Sequence, residues 1–481
     1  MSTGTSALLK KKKFALPHVY TIAFLLIVFV AILTWFVPSG EFDRKEIETA
    51  AGTRSVAIAG TYHLVPKVDE DGTDHRQGIA DILQAPTKGI QAASDVVAFV
   101  LLIGGTFQII NTTGAINAGM KRVVKKLRGK ASLIIPISMI LFGLGGTSFG
   151  MSEEALPFYA IFMPIIMGMG YDSMTAFMIV FLGPQLGYCA STTNPFNVLI
   201  AQGIAGISGN PQLGFRFIQW IIFMAMGIIF VMMYAKKVKN NPESSITYRD
   251  DIAKREEFLV DAQEEDSEFT LRQKLVLLTF TLGMGLIIFG LVKFGWYMDE
   301  ISMVFLGIGL ASGILGGLKE KEIADQFVIG LKDFAYAAVI IGVARGILSV
   351  AENGLIIDTI LNALATSLQG VPTVIFTTMM YFAQSLIALL IPSSSGQAAL
   401  TIPVMAPLTR LMGVNPEASV TCLQYANQCI NTISPTAGMT VAGLAVCKIS
   451  FQQWWKTCWK LFIVMTVLGI TFTAISGMLP A

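Results

Sequence analysis

Unbroken apolar stretches of about twenty residues recur along this chain, and they decide most of what it can become. Hydrocarbon offers no partner to a backbone N–H or C=O, so a buried chain must bond internally; a helix of roughly 20 residues crosses the ~30 Å core. Clear stretches of this kind cover 17–37, 92–112, 215–235, 275–295, 300–317, 330–351 and 454–478. Composition agrees, because only 14% of the 481 residues are charged and 53% are hydrophobic, against about 25% charge in a soluble domain. Thirty-four Lys and Arg against 32 Asp and Glu leave no basic surplus for a nucleic-acid partner. The five cysteines, at 189, 422, 429, 447 and 458, lie in or beside apolar segments. They read as small buried hydrophobes, not as a disulfide framework or a metal site.

Orientation follows from Lys and Arg near the span ends. The first stretch follows Lys10 to Lys13 and is not succeeded by a small-residue cleavage site, so it reads as a retained helix. Placing Lys10 to Lys13, the runs at 121–130 and 236–239, Lys319 with Lys321, and Lys448 with Lys456 and Lys460 on the cytoplasmic side fixes the rest. The expectation is a cytoplasmic (inner) membrane protein with its N-terminus inside, residues 38–90 outside and its C-terminus outside. Residues 236–274 become a cytoplasmic linker whose mixed charges suggest a solvated or surface helix.

Two apolar regions are too long for one crossing. Residues 131–171 are interrupted at 143–155 and residues 373–412 at 392–400, which suggests helical hairpins that enter and leave by the same side. Two more segments, 173–203 and 418–447, hold Pro195 and Pro435 near their centres. A proline lacks a donor and clashes with the preceding turn, so both helices should be broken there. Adding 243 to the residue number lays 148–203 on the second hairpin and broken helix without a gap. Ser152 then meets Ser395, Gln185 meets Gln428, Ser191 meets Ser434 and Thr193 meets Thr436. An odd number of crossings between the copies makes the second one upside down.

The fold class expected is an all-α polytopic membrane protein with inverted repeats: about nine transmembrane helices, two re-entrant hairpins and two broken helices. Its divisions are a basic N-terminus (1–16), a first helix (17–37), the outer loop (38–90) and a first repeat (91–235). The linker (236–274), linking helices (275–322) and a second, inverted repeat (323–481) complete it. Inverted repeats with discontinuous helices are the architecture of secondary transporters, which bind substrate near the membrane midplane. A passive channel is a less favoured alternative, since broken helices and polar turns also build pores; no metal set, nucleophile with base, or phosphate loop is spaced to suggest a membrane enzyme.

Several residues can carry the substrate. Glu153 and Glu154 follow Ser152 at the first hairpin tip, where a carboxylate needs water, a cation or helix amides; capping of the following helix by Ser152 and its acidic neighbours is the plainer role. The matching Ser395, Gly396 and Gln397 carry no charge, so the site is lopsided. Ser393, Ser394 and Ser395 can cap the returning arm and leave amides for a carboxylate. Asn194, Thr193, Ser191, Asn431, Ser434 and Thr436 supply oxygens; Ser191, Thr193, Asn194, Ser434 and Thr436 suit a sodium ion, or they satisfy backbone freed by the prolines. Arg345 is read as the one basic residue well inside a span, with a substrate carboxylate or Glu352, two turns along, as its partner. None of the three histidines lies in the hairpins or broken helices, which leaves sodium, a glutamate-borne proton or substrate exchange for coupling, with no resident cofactor.

With GGTSFGMSEEA at 145–155, NPFNVLIAQGIAG at 194–206, SSSGQAALTIPVMAPL at 393–408 and GVN at 413–415, the chain resembles the YfcC-like branch of the anaerobic C4-dicarboxylate carrier group, in the ion transporter superfamily. The resemblance extends over nearly the whole length. It implies a scaffold, often dimeric, and a mobile transport domain of hairpins and broken helices that moves like an elevator. Relatives include dicarboxylate carriers and arginine/ornithine exchangers. Dicarboxylate-binding relatives often carry Ser-Asn-Thr at the tips; here the tips read Ser152-Glu153-Glu154 and Ser395-Gly396-Gln397, and adjacent carboxylates repel a dianion. The reading is therefore a secondary transporter or exchanger of amino acids, basic ones foremost, with a sodium- or proton-coupled carboxylate carrier as the alternative.

Overall fold

The computed structural model describes residues 18–480, except 50–51, 117, 120–121, 123–130, 149, 260–268, 295, 297 and 369–370. Lys10 to Lys13 and most of the basic run at 121–130 lie outside these described residues. The described chain is almost entirely helical, and seven of its segments are long and apolar enough to cross a membrane. Shorter apolar helices cover 20–36, 132–148, 173–189 and 195–204. All five cysteines are free and buried.

The helices pack as two groups. One gathers Val19–Phe36, Ile79–Ala92, Ser94–Thr112, Leu271–Phe294 and Met298–Gly316 around the 34-residue helix Glu320–Asn353 or its neighbours. Backbones meet directly in this group. A Cβ on Gly104 would lie 2.6 Å from the Gly330 carbonyl oxygen, and one on Gly330 would lie 2.2 Å from that of Gly104. In lipid, where apolar burial gives little drive between helices, such close approach is what holds them.

The second group holds both hairpins, both broken helices, and the long helices Leu213–Asn240 and Phe451–Met478. Its centre is the helix Ser173–Cys189, every residue of which is buried; a helix apolar all round belongs inside a bundle. Trp454 sets its ring edge-on against Phe177 and Phe181, at 5.0 and 5.4 Å between centroids. The groups meet where Glu320–Asn353 packs on Gly438–Val446 and where Ser94–Thr112 packs on Leu156–Gly168.

Two short antiparallel pairs of strands occupy the loop after the first helix: Gly40–Glu41 with His63–Leu64, and Arg44–Thr49 with Gly52–Ala57. Lys67 fastens this loop to the first helix, donating to the Thr34 and Val37 carbonyls at 2.6 and 2.9 Å. Those carbonyls have no partner within the helix, and a cation is favoured at that end. Arg44 forms a two-pronged ion pair with Asp358, at 3.1 and 3.0 Å.

The linker helix Tyr248–Leu259 is a surface helix, with Arg249, Asp250 and Ile252 exposed, but one of its faces is docked. Asp251 and Lys254 are 3% and 4% exposed. Asp251 accepts from the Ser173 backbone N–H at 2.9 Å and Lys254 donates to the Ser173 hydroxyl at 2.9 Å. Arg255 donates to the Met167 and Tyr171 carbonyls at 3.2 and 2.6 Å. Residues 251, 254 and 255 share one helix face, so the charges that look solvated in sequence form a polar dock on the second group.

Candidate functional site

Each hairpin turns at a polar tip. In the first, the helix Ala131–Ser148 gives way to Gly150, whose φ of +79° suits glycine alone. A Cβ there would also lie 2.7 Å from the Phe196 ring and 2.9 Å from the Asn194 amide. We expect Gly150→Ala to lower the unfolding temperature by several degrees and to reduce uptake at matched expression, as thermal unfolding and transport assays would read.

Beyond Gly150, the 3-10 turn Glu153–Ala155 leads into the helix Leu156–Gly168. Ser152 does not cap it through its hydroxyl. Instead the Glu154 carboxylate accepts from the Ser152 backbone N–H at 2.8 Å, the reverse half of a capping arrangement. Glu154 is buried by this contact, whereas Glu153 is half-buried and has no ion-pair partner among the described residues. The two carboxylates thus divide: Glu154 shapes the tip and Glu153 is left to face the cavity.

The second tip is capped as expected. Ser393 accepts from the Gly396 N–H at 3.3 Å and opens the helix Ser394–Leu411. Asn427 joins this tip to the second broken helix. Its amide donates to the Pro392 carbonyl at 3.2 Å and to Gln397 Oε1 at 2.7 Å, and its oxygen accepts from Ser394 Oγ at 2.7 Å.

Both helices break beside their prolines. The first stops at Cys189 and resumes through a π-turn, Pro195–Leu199, capped by Asn194, which accepts from the Phe196 N–H at 2.8 Å. Ser191 donates to Asn197 Oδ1 at 2.8 Å. The second stops at Ile433 and resumes at Gly438; the Ser434 and Thr436 hydroxyls bond each other at 2.6 Å. Gln185 donates to the carbonyl and the side-chain oxygen of its repeat counterpart Gln428, at 2.9 and 3.0 Å. Equivalent residues touch where a two-fold axis relating the copies passes between them.

Both tips line one cavity of about 380 Å³. Of the residues singled out for a site in the sequence, Ser152, Glu153, Glu154, Arg345, Ser393, Ser394, Ser395, Asn431 and Thr436 line it. Gly396 lines a neighbouring cavity instead. Asn194 and Gln397 are fully buried: Asn194 holds the first break, and Gln397 donates to the Gln384 carbonyl at 2.8 Å, tying the two arms of the second hairpin. The five residues suited to sodium fall on two separate breaks, and only Thr436 of them lines the cavity.

Other lining residues escaped the sequence reading. Asp95, in the first turn of Ser94–Thr112, faces the cavity from the first group; at the edge of an apolar span it looks like an ordinary end residue. Gln185 and Gln428, which the sequence marks as repeat counterparts but not as site residues, also line it. Asn431 donates to the Pro392 carbonyl at 2.7 Å, yet its own oxygen is buried without a partner, an acceptor for a ligand's N–H. Arg345 makes no hydrogen bond or ion pair with a described residue, Glu352 included. A second basic residue lies at a span's end, four residues into Leu213–Asn240. Arg216 is fully buried, donating to Glu417 Oε2 and Gln424 Oε1, both at 2.5 Å. Its place near a span's end hid it.

The sequence profile described as C4-dicarboxylate anaerobic carrier matches residues 16–477. A protein of Escherichia coli (strain K12), YfcC, provisionally named a basic amino acid antiporter, is 32% identical over 96% of this chain and 95% of its own. An uncharacterised protein of Haemophilus influenzae is 30% identical over 96% of both chains. The YdaH transporter of Alcanivorax borkumensis, a solved structure, is 11% identical, with a TM-score of 0.43 over 95% of this chain and 98% of its own.

Proposed function

Because the chain belongs to the C4-dicarboxylate anaerobic carrier family and is a multi-pass membrane transporter of that kind, we propose that it exchanges basic amino acids of the arginine and ornithine type across the cytoplasmic membrane. The observation that carries this reading is the charge of the central cavity: Asp95, Glu153 and Glu154 are set against the single cation Arg345 among its lining residues. A ligand with one carboxylate and two cationic groups complements that balance. The carboxylate would meet Arg345 and the amides opening Ser394–Leu411; the cationic groups would meet Glu153 and the unpaired oxygen of Asn431. The provisional name of the Escherichia coli relative supports the same class.

An elevator movement of the second group against the first is the alternating-access mechanism we favour, since both tips and both breaks ride on the second group while Asp95 and Arg345 stand on the first. Exchange needs no further coupling ion, and Na+ or H+ would enter only for net uptake. The second reading is a dicarboxylate carrier, favoured by the family's description and by the unpaired Arg345. Labelled arginine and proteoliposomes decide between them. The expected result is uptake accelerated by internal ornithine; absent arginine uptake with strong succinate uptake would reverse the assignment.

A further inference from the structure

Next to the central cavity lies a second one of about 450 Å³, on the side of the strands of residues 38–90. Its charged lining comprises Glu41, Arg44, Arg345, Glu352 and Asp358. Arg44 and Asp358 neutralise each other. Glu352 is exposed, and its carboxylate makes no hydrogen bond or ion pair with a described residue. Arg345 and Ser393 line both cavities, so the two spaces share a wall that carries the Arg345 guanidinium, which has no hydrogen-bond or ion-pair partner among the described residues.

We propose that this outer cavity is a separate, transient binding station for an elongated amino acid with a cationic side chain, on the path to the central cavity. Arg345 and Glu352 lie seven residues apart on one helix, which places them on the same face about 10 Å apart along its axis. A neutral amino acid carries its two charges on neighbouring atoms and cannot reach both. A basic one, with several methylenes between carboxylate and distal cation, can. Arg345 can then keep the carboxylate while the cationic end leaves Glu352 for Glu153, so the ligand changes cavity without losing its strongest contact.

This inference rests on the basic amino acid reading, and its test separates the two. Labelled arginine binding is followed in time on the purified full chain in detergent, for the native protein, Glu352→Gln and Glu352→Asp. A charge along the path that is not part of the final site changes both rate constants alike. With Glu352→Gln, association and dissociation should each slow about tenfold, in the range of electrostatic focusing, while the equilibrium Kd stays within about twofold. Glu352→Asp should restore most of both rates, which also shows that the effect is not misfolding. Native binding with unchanged rates in Glu352→Gln, or a Kd that moves by the full change in one rate, would overturn the station alone. No arginine binding by the native protein would overturn both readings.

Discussion

Glu417→Ala should be the most damaging single substitution in the second group. Arg216 and Glu417 are 0% and 1% exposed; Gln202 donates to Glu417 and Gln424 accepts from Arg216. Removing the carboxylate strands a guanidinium in a dry interior, which costs about 3–5 kcal/mol, a large part of the ~5–15 kcal/mol that holds a typical domain together. The expected result is loss of the monodisperse peak on size exclusion, or unfolding at least ten degrees below the native protein. Replacing both partners, Arg216→Met with Glu417→Leu, should recover most of that loss, because neither charge is then left alone. Native-like unfolding of Glu417→Ala would mean that water reaches the pair.

Glu153→Gln should abolish most transport while leaving the fold intact. Glu153 is half-buried and holds no ion-pair partner among the described residues, so its removal leaves no charge stranded. Losing one charge-assisted hydrogen bond to a cationic substrate costs about 2 kcal/mol, or roughly a 30-fold weaker arginine affinity. Glu154→Gln keeps an acceptor for the Ser152 N–H and should weaken binding far less. Arginine affinity and unfolding temperature measured on both variants check this order. A larger loss in Glu154→Gln would exchange the roles of the two residues.

Much of the architecture was legible because lipid imposes one rule on the whole chain. Each apolar stretch marks the place of its helix, and of the two prolines Pro195 sits just beyond its break at 190–194 and Pro435 inside its break at 434–437. The repeat also announced the site, since polar residues recurring at a fixed offset near hairpin centres converge on one cavity. Other features depend on neighbours distant in sequence. Glu153 and Glu154 are adjacent and identical, and only the turn geometry gives one the cap and the other the cavity. Asp95 comes from the other group, more than fifty residues away in the chain. Arg216 and Glu417 are separated by two hundred residues, and neither stands out until the fold brings them together. The docked face of the linker depends on the same kind of distant partner, since Asp251 and Lys254 meet Ser173 some eighty residues away.

The contact between Gln185 and Gln428 bears on how such a chain could arise. A side chain that touches its own counterpart lies at a dyad, the arrangement two like halves adopt when they meet through the same surface. Identical amides on such an axis cannot both give and both receive in the same way, and here Gln185 is the giver in each bond. Once the halves are joined in one polypeptide, that asymmetry can be inherited, and the two halves become free to diverge: one tip acquires acid residues while the other keeps hydroxyls.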